Sequence, residues 1–156
     1  MILTKNFTLE EMCASDTARR LGIINTPGEV EVENLQALCE NVLQPLRDSI
    51  GRPIAINSGY RSVALNRAVG GSMKSQHLKG EAADLSGASG LLRPMFAAII
   101  EEGLPFDQLI WENTWVHLSY SRVGNRGQIL RYHPARNGKG SWYEDISGKW
   151  KKVLWN

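Results

Sequence analysis

His77 and Asp84 stand at the two ends of Ser75-Gln76-His77-Leu78-Lys79-Gly80-Glu81-Ala82-Ala83-Asp84, a short stretch broken by one glycine. An imidazole and a carboxylate so placed are either half of a metal site or two solvated groups on a loop entering a strand. His117 offers the other half. It belongs to Phe106–Tyr120, where two apolar-rich runs flank Asn113-Thr114. Side chains alternate along a strand, so a hairpin loop of two or four residues puts Ile110, Glu112, Trp115, His117 and Ser119 on one face. Leu109, Trp111, Val116, Leu118 and Tyr120 then form the other, almost wholly apolar face, which is the expected core face. A loop of three or five residues would break this parity. With it, Glu112 lies diagonal to His117 at roughly 7–8 Å between Cβ atoms. That separation suits a carboxylate serving a metal-bound water better than one binding the same ion.

His77, Asp84 and His117 together supply N, O and N donors and leave a fourth position open, the composition of a catalytic rather than a structural zinc site. Zinc brings the pKa of a bound water to roughly 7, and a neighbouring carboxylate can take its proton as it attacks a carbonyl. Glu112 is the expected base.

"SQHLKGEAADL" resembles the S-x-H-x-x-G-x-A-x-D signature of the zinc D-Ala-D-Ala carboxypeptidase family, whose fold is shared with hedgehog-type domains. "INSGYRS" at Ile56–Ser62 and "WVHLSY" at Trp115–Tyr120 resemble that family's other two blocks, in the same order. The resemblance covers about residues 34–120. It implies one zinc ion per chain on His77, Asp84 and His117, and peptidoglycan stem peptides as substrate. A D,D-carboxypeptidase acting through a zinc-bound water leads. An L-alanyl-D-glutamate endopeptidase of the phage lysin type is the alternative, as is a catalytically silent wall-binding or virion module. Arg61 matches the family arginine near the metal, so it is expected to stabilise the oxyanion or hold a substrate carboxylate. Ser75 matches a serine lining the substrate pocket, although a turn-capping hydroxyl is an equally ordinary role. Gly80 lets the chain turn between the two ligands. The chain departs from the family at one point. Several branches carry an acid three residues before the last histidine, where this chain has Thr114; Glu112, or the more distant Asp107, must then serve.

The elements that must hold these residues read as an α+β domain spanning residues 1–156, with an antiparallel sheet flanked by helices. Thr8 and Glu11 fit a capping box that starts a helix near Leu9. Leu35, Leu38, Val42, Leu43, Leu46 and Ile50 recur at helical spacing, with a kink or a break into two pieces expected at Pro45 and an end at Gly51. Strands are expected at 52–57, 82–85, 106–112, 115–120, 128–132 and 150–155, and helices at 63–69 and 91–102. His133 falls in an expected loop.

Hydrophobic residues make up 42% of the chain, charged ones 22%, and the net charge is +2. That charge is too small to argue for nucleic acid. No apolar stretch approaches the ~20 residues of a membrane helix, so membrane insertion is not expected. Cys13 and Cys39 make no metal or redox motif and read as free thiols. The start, MILTKNFTLEEM, has no signal-peptide pattern. Synthesis in the cytoplasm and action on the cell wall, for example after phage-type release, is the expectation.

Overall fold

The structure, a computed structural model, describes residues 1–155. A small two-stranded ribbon, β1 (Ile2–Thr4) and β2 (Phe7–Thr8), leads into α1 (Leu9–Cys13), where the Thr8 hydroxyl accepts the Glu11 N–H at 3.1 Å as the capping pattern demands. α2 (Asp16–Leu21) follows, capped by Ser15 and closed by Gly22. The long amphipathic helix runs as α3 (Glu29–Leu38), a π-helical turn (Cys39–Leu43) and α4 (Gln44–Ile50). In that turn the Gln44 N–H reaches back five residues to the Cys39 carbonyl. The wider turn just before Pro45 absorbs the ring and the missing N–H, so the helix continues past it.

The main sheet has six strands: β3 (Ile54–Ser58), β4 (Ala82–Gly87), β5 (Gln108–Trp111), β6 (Val116–Ser119), β7 (Gln128–His133) and β8 (Trp142–Asp145), in the order β3-β4-β6-β5-β7-β8. α5 (Val63–Ala68) and a 3₁₀ turn (Gln76–Lys79) lie between β3 and β4, and α6 (Leu92–Glu101) between β4 and β5. All pairings are antiparallel except β5 with β7, which is parallel. Leu85, Leu109, Val116 and Leu118 of the sheet meet Leu38, Leu43, Leu46, Met95, Phe96 and Ile99 of the helices in one core. Each such side chain is worth about 1.5–3 kcal/mol when fully buried, so this face fixes how the sheet lies.

Two expectations are corrected. Trp150–Trp155 is a helix, α7, not a strand. Trp150, Val153 and Leu154 recur at helical spacing and pack on the core, and Trp150 and Trp155 set their rings edge-on to Phe96 at 6.0 and 6.3 Å. His133 ends strand β7 instead of lying in a loop, because β8 pairs with it through His133↔Trp142.

Candidate metal centre and cleft

Strand register gathers the site. Ser58 pairs with Asp84, Asp84 with His117, and His117 with Ile110, so one row crosses β3, β4, β6 and β5. Glu112 and Trp115 close the β5–β6 hairpin around Asn113-Thr114, with the Glu112 N–H on the Trp115 carbonyl at 3.1 Å. The loop has two residues, and the expected parity holds. Asn113 takes φ 70°, a conformation that asparagine tolerates better than most residues.

His77 arrives on the 3₁₀ turn, whose first N–H groups need a cap. The Ser75 hydroxyl accepts the His77 N–H at 3.2 Å. Gly80 ends the turn at φ 71°, and a Cβ there would stand 2.5 Å from the Glu31 carbonyl oxygen. His77 Nδ1 donates to the Gly59 carbonyl at 2.7 Å. A carbonyl can only accept, so Nδ1 carries the hydrogen and Nε2 keeps its lone pair free. Burial also disfavours the charged imidazolium of His77, holding its pKa below the usual value.

Asp84 Oδ1 lies 3.3 Å from His77 Nε2 and 3.0 Å from His117 Nδ1. Ligand atoms 2.0–2.2 Å from a tetrahedral zinc stand about 3.3–3.6 Å apart, so these separations fit the ion to within a few tenths of an ångström. All three donor atoms lie within 4.8 Å of one another. Burial works to raise the Asp84 pKa, but hydrogen bonding to His117 and His77 outweighs it and keeps the carboxyl well below its ordinary range. A neutral imidazole and an anionic carboxylate are the states in which these groups ligate metals. The donor set and its spacing fit zinc.

Arg61 is braced around this centre. Its Nε donates to Ser58 Oγ at 3.0 Å, one terminal nitrogen to Asn66 Oδ1 at 3.1 Å, and the other to Asp84 Oδ2 at 3.4 Å. Asn66 is itself fully buried and donates to the carbonyls of Gly71 and Ser72. Three of the five guanidinium N–H groups are thereby used, and Arg61 still lines the cleft. Ser75 both caps the turn and lines the cleft.

The two acids considered as base have opposite surroundings. Glu112 lines the cleft, and burial pushes its pKa up to about 6, with the Asp84 charge adding to the rise and His117 opposing it. Asp107 accepts from the Arg126 guanidinium at 2.9 and 2.8 Å and from the Arg126 backbone N–H at 2.9 Å. Those hydrogen bonds hold its pKa low, and it anchors the segment before β7 without lining the cleft.

The cleft encloses about 650 Å³. One wall comes from β7 and β8, through Leu130, Tyr132 and Tyr143, with the two tyrosine rings 5.4 Å apart. These residues were not singled out from the sequence. Their signal was the alternation Leu130, Tyr132 along β7, which only the parallel pairing of β7 with β5 turns toward the metal face.

A metal site at the floor of a cleft, with a carboxyl of raised pKa lining the same cleft, is an arrangement suited to hydrolysis. The chain belongs to the family described as Peptidase M15, whose model matches residues 5–119. It is also similar to the zinc D-Ala-D-Ala carboxypeptidase of Streptomyces albus G, 48% identical over 48 residues, which cover 30% of this chain and 19% of that protein. The family match ends on β6, so β7, β8 and α7 lie outside it.

Proposed function

We propose that the chain is a zinc-dependent peptidase that hydrolyses peptidoglycan stem peptides at the wall, as a D-Ala-D-Ala carboxypeptidase. The observation that carries this reading is the convergence of His77 Nε2, Asp84 Oδ1 and His117 Nδ1 beside an acid whose pKa is raised to about 6. The choice of bond draws on the Streptomyces albus G relative, whose alignment spans 19% of that protein's length.

Zinc on His77, Asp84 and His117 would polarise the scissile carbonyl and make water acidic enough to attack near neutral pH. Glu112 takes the proton at its carboxylate and passes it to the departing amine, the general acid–base role for which a pKa near the working pH is best. Arg61 has two N–H groups left for the substrate, enough to meet an oxyanion or a terminal carboxylate. The Arg61–Asp84 contact meanwhile keeps the carboxylate turned toward the two imidazoles. Tyr132 and Tyr143, their rings tilted by 50° to each other, form the wall against which the stem peptide lies.

The test is incubation of zinc-loaded protein with defined muropeptides, read by mass spectrometry with and without a chelator. Release of terminal D-alanine that the chelator abolishes is the expected result. Cleavage between L-alanine and D-glutamate would make the chain an endopeptidase. Bound zinc with every stem peptide left intact would make it a silent wall-binding module.

A further inference from the structure

A second cavity, of about 450 Å³, lies at the far end of the β7–β8 ribbon. It shares Tyr132 with the cleft but none of the residues of the metal centre. Its volume is that of an ordinary small-ligand site. Arg131, His133, Arg136, Lys139 and Trp142 line it, and no Asp or Glu does.

Three of the cations there lack a contact ion pair. Among the described residues, Arg131, Arg136 and Lys139 have no ion-pair partner, and Arg131 Nε is buried without a hydrogen bond. Glu144 pairs with Arg131 in register, but its carboxylate is held by His133 Nε2 at 2.9 Å and by Lys149 at 3.7 Å. A buried donor left unpaired costs free energy, so this one stands ready for an acceptor.

The backbone forces two of the cations together. Asn137 and Gly138 both take positive φ, 51° and 78°, as in a two-residue hairpin turn. Arg136 and Lys139 exchange both backbone hydrogen bonds across it at 3.0 Å. They are therefore directly opposite, with side chains on the same face. Like charges so placed destabilise a hairpin, unless an anion lies between them.

Trp142 supplies the remaining wall. Its indole stacks on the His133 ring at 4.2 Å and 9°, yet 53% of the residue is exposed. One face of the indole is covered by imidazole, and the residue's remaining exposed surface lines the cavity. A flat aromatic face accepts the C–H side of a pyranose, and the neighbouring guanidinium fork accepts a carboxylate or phosphate. We infer that this cavity binds an oxyanion carried on a sugar ring, the carboxylate or phosphate of an acidic glycan, at a site separate from the metal centre.

Titration of ¹⁵N-labelled protein with glucuronate, glucose 6-phosphate, glucose, acetate and inorganic phosphate tests this. The readouts are the Trp142 indole and Arg131 Nε–H signals, neither of which requires metal or peptidase activity. Both acidic sugars should move these signals, with affinity roughly tenfold above glucose and above the free anions, the worth of one charge-assisted bond or one stacked ring. The preferred acidic sugar identifies the anion. The doubly exposed pair Arg136→Ala with Lys139→Ala should weaken binding by about tenfold or more, and added salt should do the same. Trp142→Ala should bring glucuronate down to the level of acetate. Unmoved Trp142 and Arg131 signals, glucose binding as tightly as glucuronate, or full affinity in the double variant would each overturn the assignment.

Discussion

The two walls of the cleft are built in different ways. On the β4–β6 side each of these side chains has a partner: His77 is held by Gly59, Asp84 by two imidazoles and Arg61, and Arg61 by Ser58 and Asn66. His77 is 2% exposed and Asp84 9%. On the β7–β8 side Tyr143 is about half exposed. A centre that must position an ion needs rigid, buried donors with their partners in place. A wall that meets a polymer needs accessible rings and charges. The family match covers the first wall and stops before the second.

If that division holds, the largest effects lie on the first wall. His77→Ala or His117→Ala should remove both metal and activity, checked by metal analysis of purified protein alongside turnover. Retention of a full zinc equivalent in either variant would break the comparison outright.

Glu112→Gln comes next. It should keep zinc while losing on the order of 10²–10⁴ in kcat. The base works only when ionised, so wild-type kcat/KM should fall as pH drops through about 6 or, because a bound cation favours the carboxylate, somewhat below it. The glutamine variant should lose that limb. A carboxyl whose pKa is raised by folding contributes stability that is fully present below its unfolded pKa and is lost as pH rises through about 6. Metal-free Glu112→Gln should therefore melt higher than wild type at pH 8, but not at pH 4.

Arg61→Ala should cost about 10²–10³ in kcat, the worth of one oxyanion donor. Because Arg61 also holds Asp84, zinc affinity should fall too, and Arg61→Lys should rescue affinity better than rate. Equal rescue of both would reduce Arg61 to a brace.

Asp107→Asn separates structure from chemistry. It should lower stability by about 1–3 kcal/mol, nearer the low end because Arg126 is 61% exposed, and leave kcat unchanged. Denaturant unfolding and turnover measured together check it. Tyr143→Ala should have the smallest effect, a few-fold rise in KM with little change in kcat, as expected for a group that binds ground and transition states alike. A loss in kcat would move chemistry onto the ribbon.

The metal face could be read from the chain because short-range rules decide it. A two-residue hairpin fixes parity, and parity puts Glu112 and His117 together. Thr8 and Ser75 act within a few residues of themselves, as does Gly80 in ending its turn. The ribbon depended on longer-range pairing. Nothing local announces that β7 runs parallel to β5, and His133 becomes a strand residue only once Trp142 pairs with it. Asn137-Gly138 was a hairpin signal in plain view, submerged in a run of glycines and cations. Trp150–Trp155 carried helical spacing, but six residues also fit a strand; contact with Phe96 decides it.

The Gly59 carbonyl that fixes His77 belongs to a chain segment lodged against the end of α1. The Tyr60 N–H donates to the Met12 carbonyl at 2.8 Å, and a Cβ on residue 59 would come within 2.2 Å of that same oxygen. The first ligand is thus seated through one carbonyl on an amino-terminal helix of five residues. Fusions, tags or cuts that disturb residues 9–13 would misalign an imidazole more than sixty positions away in the chain, and a preparation so altered would look like one starved of metal.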